Sequence, residues 1–423
     1  MTRVVTSLSA LLFSIILLVS GNAFLMTLLG LRLSLEKVEP ALIGWILVCY
    51  SIGFVVGTLY ANRVIERVGH IRSFAVFAAL TAAAALIYPL SSWPPLWAVL
   101  RAVSGVSIAG LLVVIESWFS SRATNDNRGT LFAIYQIVFY LAAASGQLLV
   151  NVGNPATFEP FTLAAVLLTL ALIPLSLTRM EAPVIEQVER LSFVAMFRES
   201  STGIVGAMIS GVLISAFYAM GPVYGNLIGL TLHQVSIFMA SAILAAMLFA
   251  WPLGRICDKS DRRWVLLWIS VLSGICSLAA AFVGPVSLPL LFLLVGCFLG
   301  LASTIYPVAV AITNDRMDST KIVSASASLL LSYGIGSCVG PIVGSALVGS
   351  IGPAGLFIGN AAVLALLALL TLYRIRHTPQ VPVAAQEDFV NTFPETTPVI
   401  AEMDPRNDEF VESPEAEDIR EAS

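Results

Sequence analysis

The chain consists of apolar runs of about 20 residues separated by short segments that hold most of the charged residues. A helix needs about that length to cross the hydrocarbon core of a bilayer, where every backbone N–H and C=O requires a partner within the protein. The short alternating strands of a membrane barrel are absent from the pattern. We therefore predict an all-α integral membrane protein with twelve transmembrane helices, near residues 7–32, 41–61, 73–91, 95–119, 130–151, 160–178, 202–224, 234–253, 264–284, 288–312, 323–349 and 354–373.

Composition supports this prediction and limits the chemistry. With 58% hydrophobic and 11% charged residues, a chain of 423 residues has too little polar surface to cover a soluble globule, so lipid is its expected surroundings. The cysteines show no metal-like spacing, and we expect neither a disulfide nor a metal site. They are Cys49, Cys257, Cys276, Cys297 and Cys338.

The basic residues of the loops predict the orientation. Only Arg32 and Lys37 lie in the loops after odd-numbered spans, whereas fourteen lie in the loops after even-numbered spans. Because positive residues stay on the cytosolic side, we expect a multi-pass protein of a bacterial inner membrane with both termini cytosolic. The fourteen are Arg63, Arg67, Arg72, Arg122, Arg128, Arg179, Arg190, Arg198, Arg255, Lys259, Arg262, Arg263, Arg316 and Lys321.

The C-terminal tail, residues 374–423, explains the net charge of −4, since it holds 12 acidic and four basic residues. Without it the chain has 18 basic and 14 acidic residues, a net charge of +4. Rich in Pro, Glu, Asp and Thr, the tail is predicted to be a disordered cytosolic extension. It either solubilises the protein or serves as a regulatory docking site.

The chain repeats itself at an offset of about 190 residues, which predicts two six-helix halves, 1–178 and 202–373. NRVIERVGHIR after span 2 recurs as GRICDKSDRR after span 8, and Tyr140 and Gly146 recur as Tyr333 and Gly340. The segment between the halves, 179–201, is the predicted cytosolic linker, and its stretch LSFVAMFRES is a candidate amphipathic helix.

The stretch PLGRICDKSDRR resembles the loop signature of the major facilitator superfamily, G-x-x-x-D-[RK]-x-G-R-[RK], with Asp261 in place of the second glycine. The first half carries a degraded copy, in which Asn62 replaces the glycine and Glu66 the aspartate. Such charges near helix ends can form a conformational latch, although they can also serve only to fix topology. The latch candidates are Gly254, Asp258, Lys259, Arg262, Arg263, Glu66, Arg67, Gly69 and Arg72.

Three further stretches carry the same resemblance. RAVSGVSIAG in span 4 is similar to the R-x-x-x-G motif of that family, and YGIGSCVGPIVG in span 11 is similar to its G-x-x-x-G-P-x-x-G motif. The family's exchangers place the second motif in span 5, so here we interpret it as helix packing. The stretch VVIESWFSSRATNDNRGTLFAIYQIVFYLAAASGQLLV resembles the YcaD-like branch of bacterial permeases. The resemblance implies a twelve-helix carrier that moves solutes by alternating access.

Two charges lie well inside span 4, and such residues usually face a cavity or a partner. Arg101 and Glu116 are fifteen residues apart, which places them on similar faces of a helix but ~22 Å apart along its axis. We expect both to face the central pathway, with Glu116 carrying the coupling proton. Alternatively, Arg101 extends to the periplasmic interface and Glu116 pairs with Arg122 or Arg128.

The resemblance also predicts where the solute binds, between the halves at the midplane, with helices 1, 4, 7 and 10 and their neighbours around it. So few charges favour a neutral, amphipathic or weakly acidic small-molecule solute. We expect a monomer without cofactor, coupled to protons, with no nucleic-acid partner. The candidate cavity residues, each of which can instead be a packing residue, are Asn22, Tyr135, Gln136, Tyr140, Gln147, Tyr218, Tyr306 and Tyr333.

Other functions fit less well. The sequence shows no catalytic constellation, which argues against an enzyme, and no nucleotide-binding loop of the G-x-x-x-x-G-K-[ST] type. An uncoupled facilitator, or a sensor or scaffold with a carrier fold, stays open because a fold alone does not prove activity.

Overall fold

The computed structural model describes residues 2–177, 193–283, 286–317 and 322–407. All regular structure in these residues is helical, and twelve helices in them are long and apolar enough to cross a membrane. We label these helices α1 to α12. Their bounds are Leu8–Leu35, Pro40–Val68, His70–Leu90, Pro94–Ser120, Arg128–Val152, Glu159–Leu177, Ser201–Leu227, Leu232–Lys259, Arg262–Val283, Leu288–Asn314, Ile322–Ile351 and Gly355–His377.

Local sequence explains where several helices begin and end. Proline occupies the first turn of α2, α4 and α10, where its missing N–H costs nothing. Thr231 and Gln234 form a capping box at the start of α8, each side chain accepting a hydrogen bond from the other residue's backbone N–H. Gly69 separates α2 from α3 with φ +86°, a conformation that other residues rarely adopt. Several helices, such as α2 and α8, extend beyond the predicted spans because their polar ends continue the helix.

Glycines bring equivalent helices together in the two halves. A side chain at Gly146 on α5 would overlap the backbone carbonyl of Ser20 on α1. A side chain at Gly340 on α11 would likewise overlap the carbonyl of Val212 on α7. Small residues allow such close backbone approach between membrane helices. The glycine-rich stretch of span 11 therefore packs α11 against α7, as its packing interpretation predicts.

Among the described residues, the halves contact each other mainly through three helix pairs, α1 with α7, α2 with α11 and α5 with α8. Large apolar side chains such as Leu248, Phe282 and Leu369 are exposed on the outer surface, where a bilayer would cover them. We call the side of the molecule that carries the loops after α2, α4, α8 and α10 the basic face, and the other side the opposite face.

The linker is described only in part. A short helix, Phe193–Glu199, lies where the amphipathic stretch was expected, and Met196 in it is buried. Residues 179–192 of the predicted linker lie outside the described residues.

The tail differs from the sequence prediction. Helix α12 continues to His377, and residues 378–407 pack against the helices instead of forming a disordered extension. Phe393, Val399 and Ile400 are buried in the same core cluster as the membrane helices. The prediction weighed the charge of the whole tail, whereas the stretch DFVNTFPETTPVIAEM alternates apolar and polar residues and has an apolar surface to bury. Residues 408–423 lie outside the described part.

Candidate functional site

A cavity of about 170 Å³ lies between the two halves. Helices α1, α2, α4 and α5 line it from the first half, and α7, α8 and α11 from the second. Its walls are mainly apolar, with a few polar groups and two charged ones. Sites for small molecules typically combine such walls with a few polar groups that fix orientation.

Arg101 is one of the two charged groups and was predicted from the sequence. Its side chain is 1% exposed, and its guanidinium lies 4.5 Å from the centre of the Tyr50 ring. Nη2 is 2.8 Å from the sulfur of Met26, a weak acceptor, and Nε has no hydrogen-bond partner among the described residues. A cation held in this way, facing a cavity, favours a ligand with an anionic group.

Glu116 is completely buried. We expected it to face the central cavity, but it is not among the residues that line it. Its Oε1 accepts a hydrogen bond of 2.8 Å from the Tyr135 hydroxyl. Its Oε2 accepts hydrogen bonds from the backbone N–H, at 2.9 Å, and from the hydroxyl of Thr397 in the tail. The partners of Glu116 in these bonds are therefore a tyrosine and a tail residue rather than Arg122 or Arg128, which the alternative interpretation named.

Four of the eight candidate cavity residues line the cavity: Asn22, Gln147, Tyr218 and Tyr333. Asn22 donates a hydrogen bond of 3.1 Å to the Tyr50 hydroxyl. Polar groups that are fixed by neighbours in this way can present a defined pattern to a ligand.

The other four candidates lie elsewhere. Tyr135 bonds Glu116, and Gln136 is buried away from the cavity. Tyr140 borders a small adjoining cavity, and Tyr306 packs against Tyr333 with ring centres 5.7 Å apart. Helix α10 carries Tyr306 and contributes no described residue to the central cavity, but its Leu299 and Ser303 line the small adjoining cavity beside Glu395. A place for α10 at the solute site stays a prediction.

Glu395 is the second charged group at the cavity, and it is not among the residues predicted from the sequence. The residue belongs to the tail and lines both the central cavity and the adjoining one, together with Pro394. Its Oε2 is buried and has no hydrogen-bond partner in the described part of the chain. Burial raises the pKa of the Glu395 carboxyl from 4.5 to about 7.

Contacts between the halves close the cavity toward the opposite face. Asn226, at the end of α7, donates a hydrogen bond of 2.9 Å to Ser34 at the end of α1. Asn151 on α5 donates one of the same length to Ser236 on α8. Toward the basic face, the turn Pro398–Met403 of the tail lies between the halves, in contact with α4, α5 and α11.

Two charged residues of the latch signature in the second half, Asp258 and Arg262, contact the tail. Arg262 pairs with Asp315 and donates to the backbone carbonyl of Glu387. Asp258 accepts a hydrogen bond of 2.8 Å from the backbone N–H of Phe389, and the ring of Phe389 covers Gly254. Burial raises the pKa of the Asp315 carboxyl, although the Arg262 cation opposes the rise.

The remaining latch candidates have different surroundings. Arg263 pairs with Asp261 at 2.9 Å and donates to the backbone carbonyl of Thr378. Lys259 is exposed, as are Glu66, Arg67 and Arg72 of the first half, which surround the turn at Gly69. A latch role for these residues stays a prediction.

Two six-helix halves around a central cavity define the architecture of a membrane carrier. The family model of the Major Facilitator Superfamily matches residues 5–251 and 203–407. The MFS-type transporter YcaD of Shigella flexneri is 33% identical over 382 residues, which cover 88% of this chain and 97% of that protein. The YcaD protein of Escherichia coli O139:H28 matches to the same extent. The chain therefore belongs to the Major Facilitator Superfamily, a family of transporters rather than enzymes, and is a bacterial multi-pass membrane protein.

Solved structures of transporters share this fold. A point mutant of the nucleoside transporter NupG superposes with a TM-score of 0.75 at 16% identity over 87% of this chain and 99% of that one. A bacterial homologue of the human lysosomal transporter Spinster, inward-facing and unoccupied, superposes with a TM-score of 0.69 at 14% identity over 92% and 98% of the two chains. At these identities the likeness shows the fold alone.

Proposed function

We propose that this protein is a proton-coupled secondary carrier that moves an amphipathic, weakly acidic small molecule across a bacterial inner membrane by alternating access. The observation that carries the proposal is the central cavity with Arg101 in its wall. A buried guanidinium that has no carboxylate partner among the described residues can receive one anionic group of a solute, while the apolar walls receive the remainder. A highly charged solute would require several cations.

The positive-inside rule supports a cytosolic basic face, with both termini on that side. On this orientation the hydrogen bonds between α1 and α7 and between α5 and α8 close the periplasmic side. The state described is then inward-facing. Rocking of the halves about the cavity would close the cytosolic side and expose Arg101 to the periplasm.

Glu116 is the residue we propose for proton coupling. Its carboxylate is buried in α4 and is held by neutral donors, an arrangement in which ionisation depends strongly on access to water. Rocking changes that access, so Glu116 can take up a proton in one state and release it in the other.

The test uses proteoliposomes with an imposed pH gradient and a broad mixture of metabolites and drugs, read by mass spectrometry. We expect the native chain to accumulate weak acids, Glu116→Gln to lose accumulation but keep exchange, and Arg101→Met to lose both. The matched control is Glu159→Gln, since Glu159 is exposed at the start of α6. Accumulation that persists in Glu116→Gln would contradict proton coupling through this residue.

A non-transporting sensor is the second candidate, and the packed tail between the halves favours it. A sensor would bind a solute without moving it. Binding that is measured by calorimetry, together with no transport in tight and loaded vesicles, would support the sensor over the carrier.

A further inference from the structure

The tail enters the space between the halves and anchors there through an aromatic cluster. The Phe393 ring is 3% exposed. Its centre lies 5.1 Å from that of Phe139, 5.7 Å from that of Tyr140 and 5.8 Å from that of Tyr135, all on α5. Pairs at such distances add to the stabilisation that burial provides. Phe393 is thus held as a core residue, on the side of the cavity that faces the basic face.

Polar contacts on both halves fix the tail's path. On the first half, Thr397 donates two hydrogen bonds to Glu116, and Arg128 donates to the backbone carbonyls of Pro405 and Asn407. On the second half, the Asp258 and Asp315 carboxylates accept bonds from the backbone N–H groups of Phe389 and Glu387. The same short segment therefore bridges α4 and α5 to the ends of α8 and α10.

These contacts occupy space that alternating access needs. Closing the basic face requires α4 and α5 to approach α11, and the turn Pro398–Met403 lies between them. Packed side chains cannot be compressed to make that room. The segment must leave before the halves can rock.

From this geometry we infer that residues 387–407 form an autoinhibitory plug, which closes the basic-face mouth of the central cavity and blocks rocking until it withdraws. The plug is a part of this chain rather than a partner. Glu395 at its tip lies in the cavity beside the space that a solute would occupy. Plug and solute then compete for the cavity, so a solute that enters from the basic face must displace the tip.

The test needs no known solute, so its outcome is independent of the proposed transport activity. In a chain whose five native cysteines are replaced by alanine, Ser215→Cys places one thiol in the cavity wall. The rate of its reaction with a charged maleimide is measured in nanodiscs, where both faces are accessible. Three tails are compared: the full tail, a deletion of residues 386–423, and Phe393→Ala with Thr397→Ala.

We expect labelling to be at least tenfold faster in the deletion and in the double variant than in the full chain. The matched control, Gln380→Ala with Val383→Ala, changes two exposed residues before the plug and should label at the native rate.

Equal labelling in all three tails would overturn the plug. Acceleration in the deletion alone would overturn the assignment of Phe393 and Thr397 as its anchors. Thermal unfolding and size-exclusion profiles of each variant distinguish opening of the mouth from loss of the fold. If the deletion does not fold, the labelling rate of Phe393→Ala with Thr397→Ala decides whether the plug exists.

Discussion

Glu395→Gln tests the structure most sharply, because a single carboxyl at the tip of the plug (residues 387–407) connects closure of the mouth to pH. Burial raises the Glu395 pKa from 4.5 to about 7 when the plug is in place. A withdrawn, solvated Glu395 would titrate near its ordinary value. The inserted state therefore binds the proton more tightly, is favoured at low pH, and loses stability as pH rises from about 4.5 to about 7.

The magnitude follows from linkage. Between about pH 5.5 and about pH 8, a pKa difference of this size would increase the ratio of withdrawn to inserted plug by about 30-fold. We expect about tenfold, because the Glu395 side chain is only half-buried, which lowers the cost of ionising it and reduces the difference. Glu395→Gln removes the titrating group, so its ratio should change little from this source.

Comparing the native chain with Glu395→Gln separates the effect of Glu395 from that of the other ionisable groups near the plug. The phenols of Tyr140, Tyr218 and Tyr333 stay neutral in this range, and Arg101 stays charged. Asp258 and Asp315 accept the same bonds from the plug in the native chain and in the variant, so their contribution cancels in the difference between the two.

Glu116 also contacts the plug. For this reason the comparison of the native chain with Glu395→Gln is repeated with Glu116→Gln present in both proteins. The assay is maleimide labelling of Ser215→Cys across this pH range. Each rate is divided by that of the tail deletion at the same pH, which removes the titration of the thiol itself. In the native chain this rate ratio should rise with pH. A ratio that falls as pH rises, or one that changes with pH equally in Glu395→Gln, would show that Glu395 does not control the plug.

The remaining predictions concern the cavity wall and the helix contacts. Arg101→Met should weaken binding of an acidic solute by about 1.5–3 kcal/mol, the value of a hydrogen bond to a charged group, with little effect on its neutral analogue in calorimetry. Gly336→Ala should destabilise the fold by about 1–3 kcal/mol in thermal unfolding, since its Cβ would overlap the Met208 carbonyl, whereas Gly349→Ala on the same helix has room and should not. Asn226→Ala removes a hydrogen bond between the halves worth about 0.5–1.5 kcal/mol. Maleimide labelling of Ser215→Cys from the opposite face should then be two- to tenfold faster.

The fold followed from the sequence because membrane helices satisfy their own backbone and need only length and apolarity. Arg101 was found for a similar reason, since a charge within an apolar run requires an explanation. Tyr306 packs against Tyr333 instead of lining the central cavity, the alternative that the sequence left open, because the rotation of α10 about its axis depends on packing that no single sequence pattern specifies. Tyr50, which contacts both Arg101 and Asn22, was missed because an aromatic residue in a span gives no distinct signal.

Glu395 shows where composition misleads. In a segment with 12 acidic residues one glutamate has no distinguishing mark, and the average charge predicts disorder. The local signal was the set of apolar residues around it, of which Phe393, Val399 and Ile400 become buried. A window of about ten residues would have separated this stretch from the acidic residues that follow it.

The contact between Thr397 and Glu116 imposes an order on any proton-coupled cycle. While the plug is inserted, both oxygens of Glu116 are occupied, one by Tyr135 and one by Thr397, and the carboxyl is out of contact with the cavity. Proton exchange between Glu116 and the basic face then requires prior withdrawal of the plug. The rate of that exchange would be set by the same equilibrium that controls labelling of the cavity, so variants that loosen the plug should speed both by the same factor. A variant that speeds labelling but leaves proton exchange unchanged would separate the two and remove Glu116 from the cycle.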